Sequence, residues 1–200
     1  NIIPDRFRNS VIVVDLICGG VPSFHLISTF KNHIPNGCSE IIHFRTKKGN
    51  GWSPDGFRYN LAYRDKEGIE IHIEKGKRNL VTDGFACGLT NRYSCYDCKL
   101  AFLHRKSDLT IGDLWGDNQF PEQHSDGVSS ILVHSQRGLE FTGMCDIELR
   151  PVSFKELTSK NFRLFDGKSL KKYFPERRWL NRAFRTLSYP ALLEIYGSDL

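Results

Sequence analysis

Val11-Ile12-Val13-Val14-Asp15-Leu16-Ile17-Cys18 runs straight into Gly19-Gly20-Val21-Pro22-Ser23. A nearly continuous β-branched run reads as a buried strand. The glycines and the proline end it, and Ser23 stands where a side-chain oxygen caps the helix expected over 24–33. Downstream, 41–46 reads as a second strand. Residues 57–64 and 69–75 alternate apolar and polar side chains around Asp65-Lys66-Glu67-Gly68, the signal of a hairpin. Residues 79–89 read as a short helix or turn, 109–111 as the start of a strand running into Gly112-Asp113, and 130–134 as another strand. A helix is expected over 138–145, a strand over 147–152 and the start of a helix at 154–159. The helical pattern of 175–187 opens on Pro175, which the first turn tolerates, and the last dozen residues form a final short helix. Strands, helices and a hairpin in this order predict an α/β (α+β) fold with a mixed sheet and flanking helices. The expected extent is one domain over 1–200, of which 155–200 is the basic helical end.

The 200 residues are 40% hydrophobic and 12% aromatic, enough to build a core. The longest apolar run falls far short of the ~20 residues that cross a bilayer, and no secretory leader pattern is present, so the expectation is a cytoplasmic protein with no membrane span. Opening on Asn1 in a linker-like stretch, the sequence reads as a piece of a longer protein. The net charge of +5 is unevenly placed: Lys155 to Arg185 holds ten basic residues against three acidic ones. Arg177, Arg178, Arg182 and Arg185 fall mostly on one side of the expected helix, with Trp179, Leu180, Ala183, Phe184 and Leu187 as an apolar stripe to pack on the sheet. This face suits a protein partner. It lacks the exposed aromatics or reading motif of a nucleic-acid binder, although a solvated helix face is the plain alternative.

Six cysteines without a secretory leader favour metal or redox use over disulfides. Cys95-Tyr96-Asp97-Cys98 is a C-x-x-C pair whose turn directs two thiolates at one metal or cluster. That spacing serves zinc sites, iron–sulfur clusters and thiol redox pairs alike, and two unligated thiols in a loop also satisfy it. No second C-x-x-C completes a zinc ribbon. Cys38 and Cys145 read as ordinary thiols.

The context is more specific. Arg92-Tyr93-Ser94-Cys95-Tyr96-Asp97-Cys98 precedes Asp108-Leu109-Thr110-Ile111-Gly112-Asp113-Leu114-Trp115-Gly116. Upstream stand Val14-Asp15-Leu16-Ile17-Cys18-Gly19-Gly20-Val21-Pro22-Ser23 and Phe44-Arg45-Thr46-Lys47 with Gly51-Trp52; downstream stand Gly127–Val133 and Arg137-Gly138. In these ordered blocks the chain resembles the C-terminal domain of the coenzyme F420 hydrogenase/dehydrogenase beta-subunit family.

The resemblance implies an iron–sulfur flavoprotein oxidoreductase domain, passing electrons between a 4Fe-4S cluster and FAD to a diffusible acceptor such as coenzyme F420. It implies Cys18, at a strand end, and Cys95 and Cys98, on an inserted loop, as cluster thiolates, with Cys87 the local candidate for a fourth. The partners it implies are a redox protein or a preceding ferredoxin-like region, and a small electron carrier. Around the flavin it points to Gly20, Ser23, Thr110, Gly112, Asp113 and Trp115, with Arg45, Lys47 and Lys48 toward the pyrophosphate. For these the alternatives are a tight turn with Trp115 in the core and a solvated strand face. One departure is Gly19, where the family has His. Relatives also occur among surface-polysaccharide genes, so an accessory role in polysaccharide assembly stands beside the enzyme, as does a structural zinc module.

Overall fold

A computed structural model describes residues 4, 7, 10–34, 36–43, 61–73, 79–102, 105–114, 127–159, 161, 164 and 174–196. The chain divides into two compact units that interleave in sequence: residues 1–18 with 99–167, and residues 19–98 with 168–200.

The first unit holds a three-stranded mixed sheet. Strands β1 (Val14–Leu16) and β5 (Leu109–Asp113) pair in parallel, with Leu16 opposite Ile111, and β5 pairs antiparallel with β6 (Ser129–Val133). The sheet order is β1-β5-β6. Among the described residues the strand expected to be buried is therefore an edge strand, and Val14 and Leu16 are 44% and 62% exposed. Helix α3 (Gln136–Met144) follows β6, capped by Ser135, whose Oγ accepts from Gly138 N. Helix α4 (Phe154–Ser159) opens on a reciprocal cap: Glu156 N donates to Ser153 Oγ, and Ser153 N and Oγ donate to Glu156 Oε2. The strand expected over 147–152 does not form. Pro151 has no N–H to give a ladder, and α3 and α4 are joined there by chain without regular structure.

The second unit carries an antiparallel meander, β2 (Glu40–His43), β3 (Leu61–Arg64) and β4 (Glu70–Ile73). The β3–β4 turn is closed by Asp65, whose Oδ1 accepts from Glu67 N and Ile69 N at 2.9 and 2.8 Å. Helix α1 (Phe24–His33) packs beside α5 (Phe174–Thr186) and α6 (Tyr189–Tyr196), and a single helical turn, α2 (Asp83–Ala86), lies between the meander and the cysteine pair. Leu26 and Phe30 of α1, Leu61 and Tyr63 of β3, Leu180 and Phe184 of α5 and Leu192 of α6 form the core. The Phe30 ring meets Tyr63 and Tyr189 edge-on. The Tyr189 hydroxyl donates to Asn79 Oδ1 and accepts from Leu80 N, and burial pushes its pKa far up.

Helix α5 thus buries its stripe against α1 and α6, a correction to the expected packing on the sheet. Trp179 leaves the stripe and is 69% exposed, while Arg178, Arg182 and Arg185 face outward as expected. Among the described residues no helix is long and apolar enough to cross a membrane.

Candidate functional site

In the first unit the candidate residues gather at the C-terminal end of the parallel pair β1–β5, the end at which open sheets take ligands. Ile17 N donates to Ile111 O at 2.8 Å and extends the pairing past β1. Cys18, the next residue, is exposed, and so is Asp113 at the end of β5. Gly112 has a packing reason: a Cβ there would lie 2.7 Å from Cβ of Ile17. Thr110 is fully buried, with its hydroxyl 2.8 Å from His134 Nε2. Of Thr110, Gly112 and Asp113, only Asp113 has an exposed polar side chain. Arg45, Lys47, Lys48 and Trp115 lie outside the described residues.

The same motif holds a group that the sequence did not single out. Asp108 is buried, and its carboxylate accepts from Val13 N (2.9 Å), Ser135 Oγ (2.5 Å) and Arg137 Nη2 (2.9 and 3.1 Å). These bonds, the one from Ser135 first, lower the carboxyl pKa from its ordinary value. One side chain so joins the segment entering β1 to the start of α3. Arg105 works in parallel: its side chain, 4% exposed, donates through Nη1 to Leu16 O and stands 3.2 Å from Asp15 Oδ1. The signal for Asp108 lay in the motif that begins on it and in Arg137 downstream.

In the second unit the cysteine pair is built on a 3-10 helix, Tyr93–Asp97. Cys95 is buried and Cys98 half-buried. Between them Tyr96 is wholly buried and donates its hydroxyl to Gly88 O and Leu89 O at 2.6 and 2.8 Å, which anchors the turn. The chain entering the turn is stitched to the Gly19–Ser23 segment: Ser23 N donates to Thr90 O, Arg92 N to Val21 O, and Asn91 Nδ2 to Gly19 O. Asn91 also fills the space over Gly20, where the backbone has φ +117 and a Cβ would lie 2.6 Å from Asn91 Nδ2. Ser23 does precede α1, yet its side chain makes no capping bond, because this stitching draws the residue inward.

Cys87 is half-buried, with its Sγ 3.4 Å from Gly84 O. Cys38 is a core thiol whose pKa burial raises, in keeping with an ordinary structural role. None of the six cysteines is in a disulfide. Cys18 belongs to the first unit, and Cys87, Cys95 and Cys98 to the second. The described residues contain no group of three or more His, Cys, Asp or Glu able to hold a metal, so they do not amount to a preassembled cluster nest.

No curated protein and no solved structure matches the chain. A family model, the C terminus of the beta subunit of coenzyme F420 hydrogenase/dehydrogenase, matches residues 4–150. That span takes in the parallel strand pair, the Asp108 junction and the anchored cysteine turn, and the chain therefore belongs to the family defined by the C terminus of the coenzyme F420 hydrogenase/dehydrogenase beta subunit.

Proposed function

We propose that the chain is part of a cytoplasmic oxidoreductase in which electrons pass between a 4Fe-4S cluster and FAD and leave on a small carrier such as coenzyme F420 or a relative of it. Family membership carries this reading, since the matched residues 4–150 include every candidate thiolate and the Thr110–Trp115 segment. Cys18, Cys95 and Cys98 are the proposed cluster ligands, with a fourth from Cys87 or from a preceding ferredoxin-like region. Bound flavin would supply the exchange between one- and two-electron transfer. The chain's own part is positioning: Tyr96 holds the cysteine turn, and the Gly112–Ile17 contact sets the strand end from which Asp113 reaches a ligand. The outward arginines of α5 suit docking of a redox partner.

Gly19 in place of the family's His favours a second reading. In it the protein is a non-catalytic accessory of surface-polysaccharide assembly, or Cys95 and Cys98 hold structural zinc. Anaerobic purification followed by iron, sulfide, zinc and flavin analysis separates the two. Iron with sulfide, lost in Cys95→Ser and Cys98→Ser, upholds the oxidoreductase. Zinc without iron, or no metal and no flavin after anaerobic reconstitution, overturns it.

A further inference from the structure

Helix α1 has two faces of different chemistry. Leu26 and Phe30 enter the core, whereas His25, Ser28, Thr29 and Asn32 recur at i, i+3, i+4 and i+7 and make a polar stripe. This stripe floors a cavity of about 690 Å³ whose other wall is the α5–α6 junction at Arg185 and Ser188. Floor and wall are fixed to each other, since Thr29 Oγ1 donates to Phe184 O at 2.9 Å. Among the described residues no carboxylate lines the cavity.

Arg185 is held in place at the wall. Its Nε donates to His25 Nε2 at 3.1 Å, which leaves the terminal N–H groups of the fork for a ligand. Arg185 forms no ion pair among the described residues, and the Ser28 hydroxyl and the Asn32 amide have no hydrogen-bond partner there. Ser188 immediately precedes α6, so the positive end of that helix adds to the local field. A planar cationic fork beside neutral hydroxyl and amide donors, without a competing acid, is the donor set of a tetrahedral oxyanion.

We propose that this groove binds the phosphate group of a small ligand, either a nucleotide or a phosphorylated sugar or polyol, with Arg185 as the charged anchor and Ser28 and Asn32 completing the donor set. None of the residues lining the groove is among those proposed for the cluster or the flavin, so the phosphate titration can fail without touching that reading.

The test is calorimetric titration of the 200-residue chain with inorganic phosphate, ADP and glycerol 1-phosphate at constant ionic strength. Saturable binding at one site is expected, with Arg185→Gln weakening it about tenfold or more, the loss of one charge-assisted bond. Ser28→Ala should weaken it less. Arg185→Lys, which keeps the charge and loses the fork, should fall between. ADP binding more tightly than phosphate identifies a nucleotide as the source, and tighter glycerol 1-phosphate a phosphorylated polyol. Because Arg185 is exposed, its variants should fold, which far-UV circular dichroism checks. Equal phosphate affinity in Arg185→Gln, or a response that chloride reproduces at the same ionic strength, overturns the proposal.

Discussion

Replacing Asp108 by Asn tests the first unit at its junction. The amide has nearly the shape of the carboxylate but one acceptor oxygen, whereas Val13 N, Ser135 Oγ and Arg137 Nη2 all donate to the native side chain. Its NH2 must then face a donor in a site only 8% exposed at the side chain. A hydrogen bond to a buried charge contributes about 1.5–3 kcal/mol. The Arg137 contribution is discounted because its side chain is 36% exposed. Since the bonds share one acceptor group and are not additive, the expected loss for Asp108→Asn is about 2–3 kcal/mol. The pH dependence follows from the depressed carboxyl. A folded pKa below the unfolded one stabilises the fold above the ordinary carboxylate value of about 3.9 and ceases to do so as pH falls through the folded value. Urea unfolding followed by circular dichroism should therefore show the full gap between native and variant proteins at about pH 7, closing below about pH 4. A gap under about 0.5 kcal/mol at neutral pH, or one that does not shrink in acid, would refute the role given to Asp108.

Gly138→Ala places a Cβ 2.5 Å from Asp108 O, a backbone atom that cannot swing away; thermal unfolding should show a loss of about 1–3 kcal/mol. Tyr96→Phe removes two bonds to buried carbonyls and should cost about 1–3 kcal/mol. The loosened turn should also speed reaction of Cys95 and Cys98 with a thiol reagent, and unchanged rates would separate Tyr96 from the cysteine turn. Asp113→Ala, at an exposed strand end, should lower flavin content after reconstitution, measured at a temperature where circular dichroism shows the variant folded. A variant that retains full flavin removes Asp113 from the ligand.

Elements whose signal is local were legible in the sequence. The β3–β4 hairpin announced itself because Asp65 and Gly68 supply the turn chemistry within a few residues. Helices α1, α4, α5 and α6 were found for the same reason. The burial of the first strand and the strand expected over 147–152 depended on partners that no local pattern reveals. Val11–Cys18 has the composition of a doubly covered strand, but the sheet places β1 at its edge. Ile147–Val152 alternates like a strand, but Pro151 denies it a donor. At the candidate site the motifs were visible, yet the sequence did not separate residues that hold the fold from those that face a ligand. Thr110 and Gly112 are engaged by His134 and Ile17, while Asp108, in the same motif, bears the junction.

The stitching of Val21 and Ser23 to Arg92 and Thr90 has a kinetic meaning. It brings together segments separated by α1, the whole meander and α2, so the five-residue 3-10 turn that carries Cys95 and leads into Cys98 is assembled only after a long excursion of chain has closed. The entropic cost of such closure grows as the logarithm of its length, about 0.6 kcal/mol per doubling. Lengthening the excursion would therefore hardly weaken the finished turn, while contacts so distant in sequence are formed late and slowly. Until then the two thiols are held by nothing but their own short sequence, and on a nascent chain they are open to oxidants that the folded turn keeps from the buried Cys95.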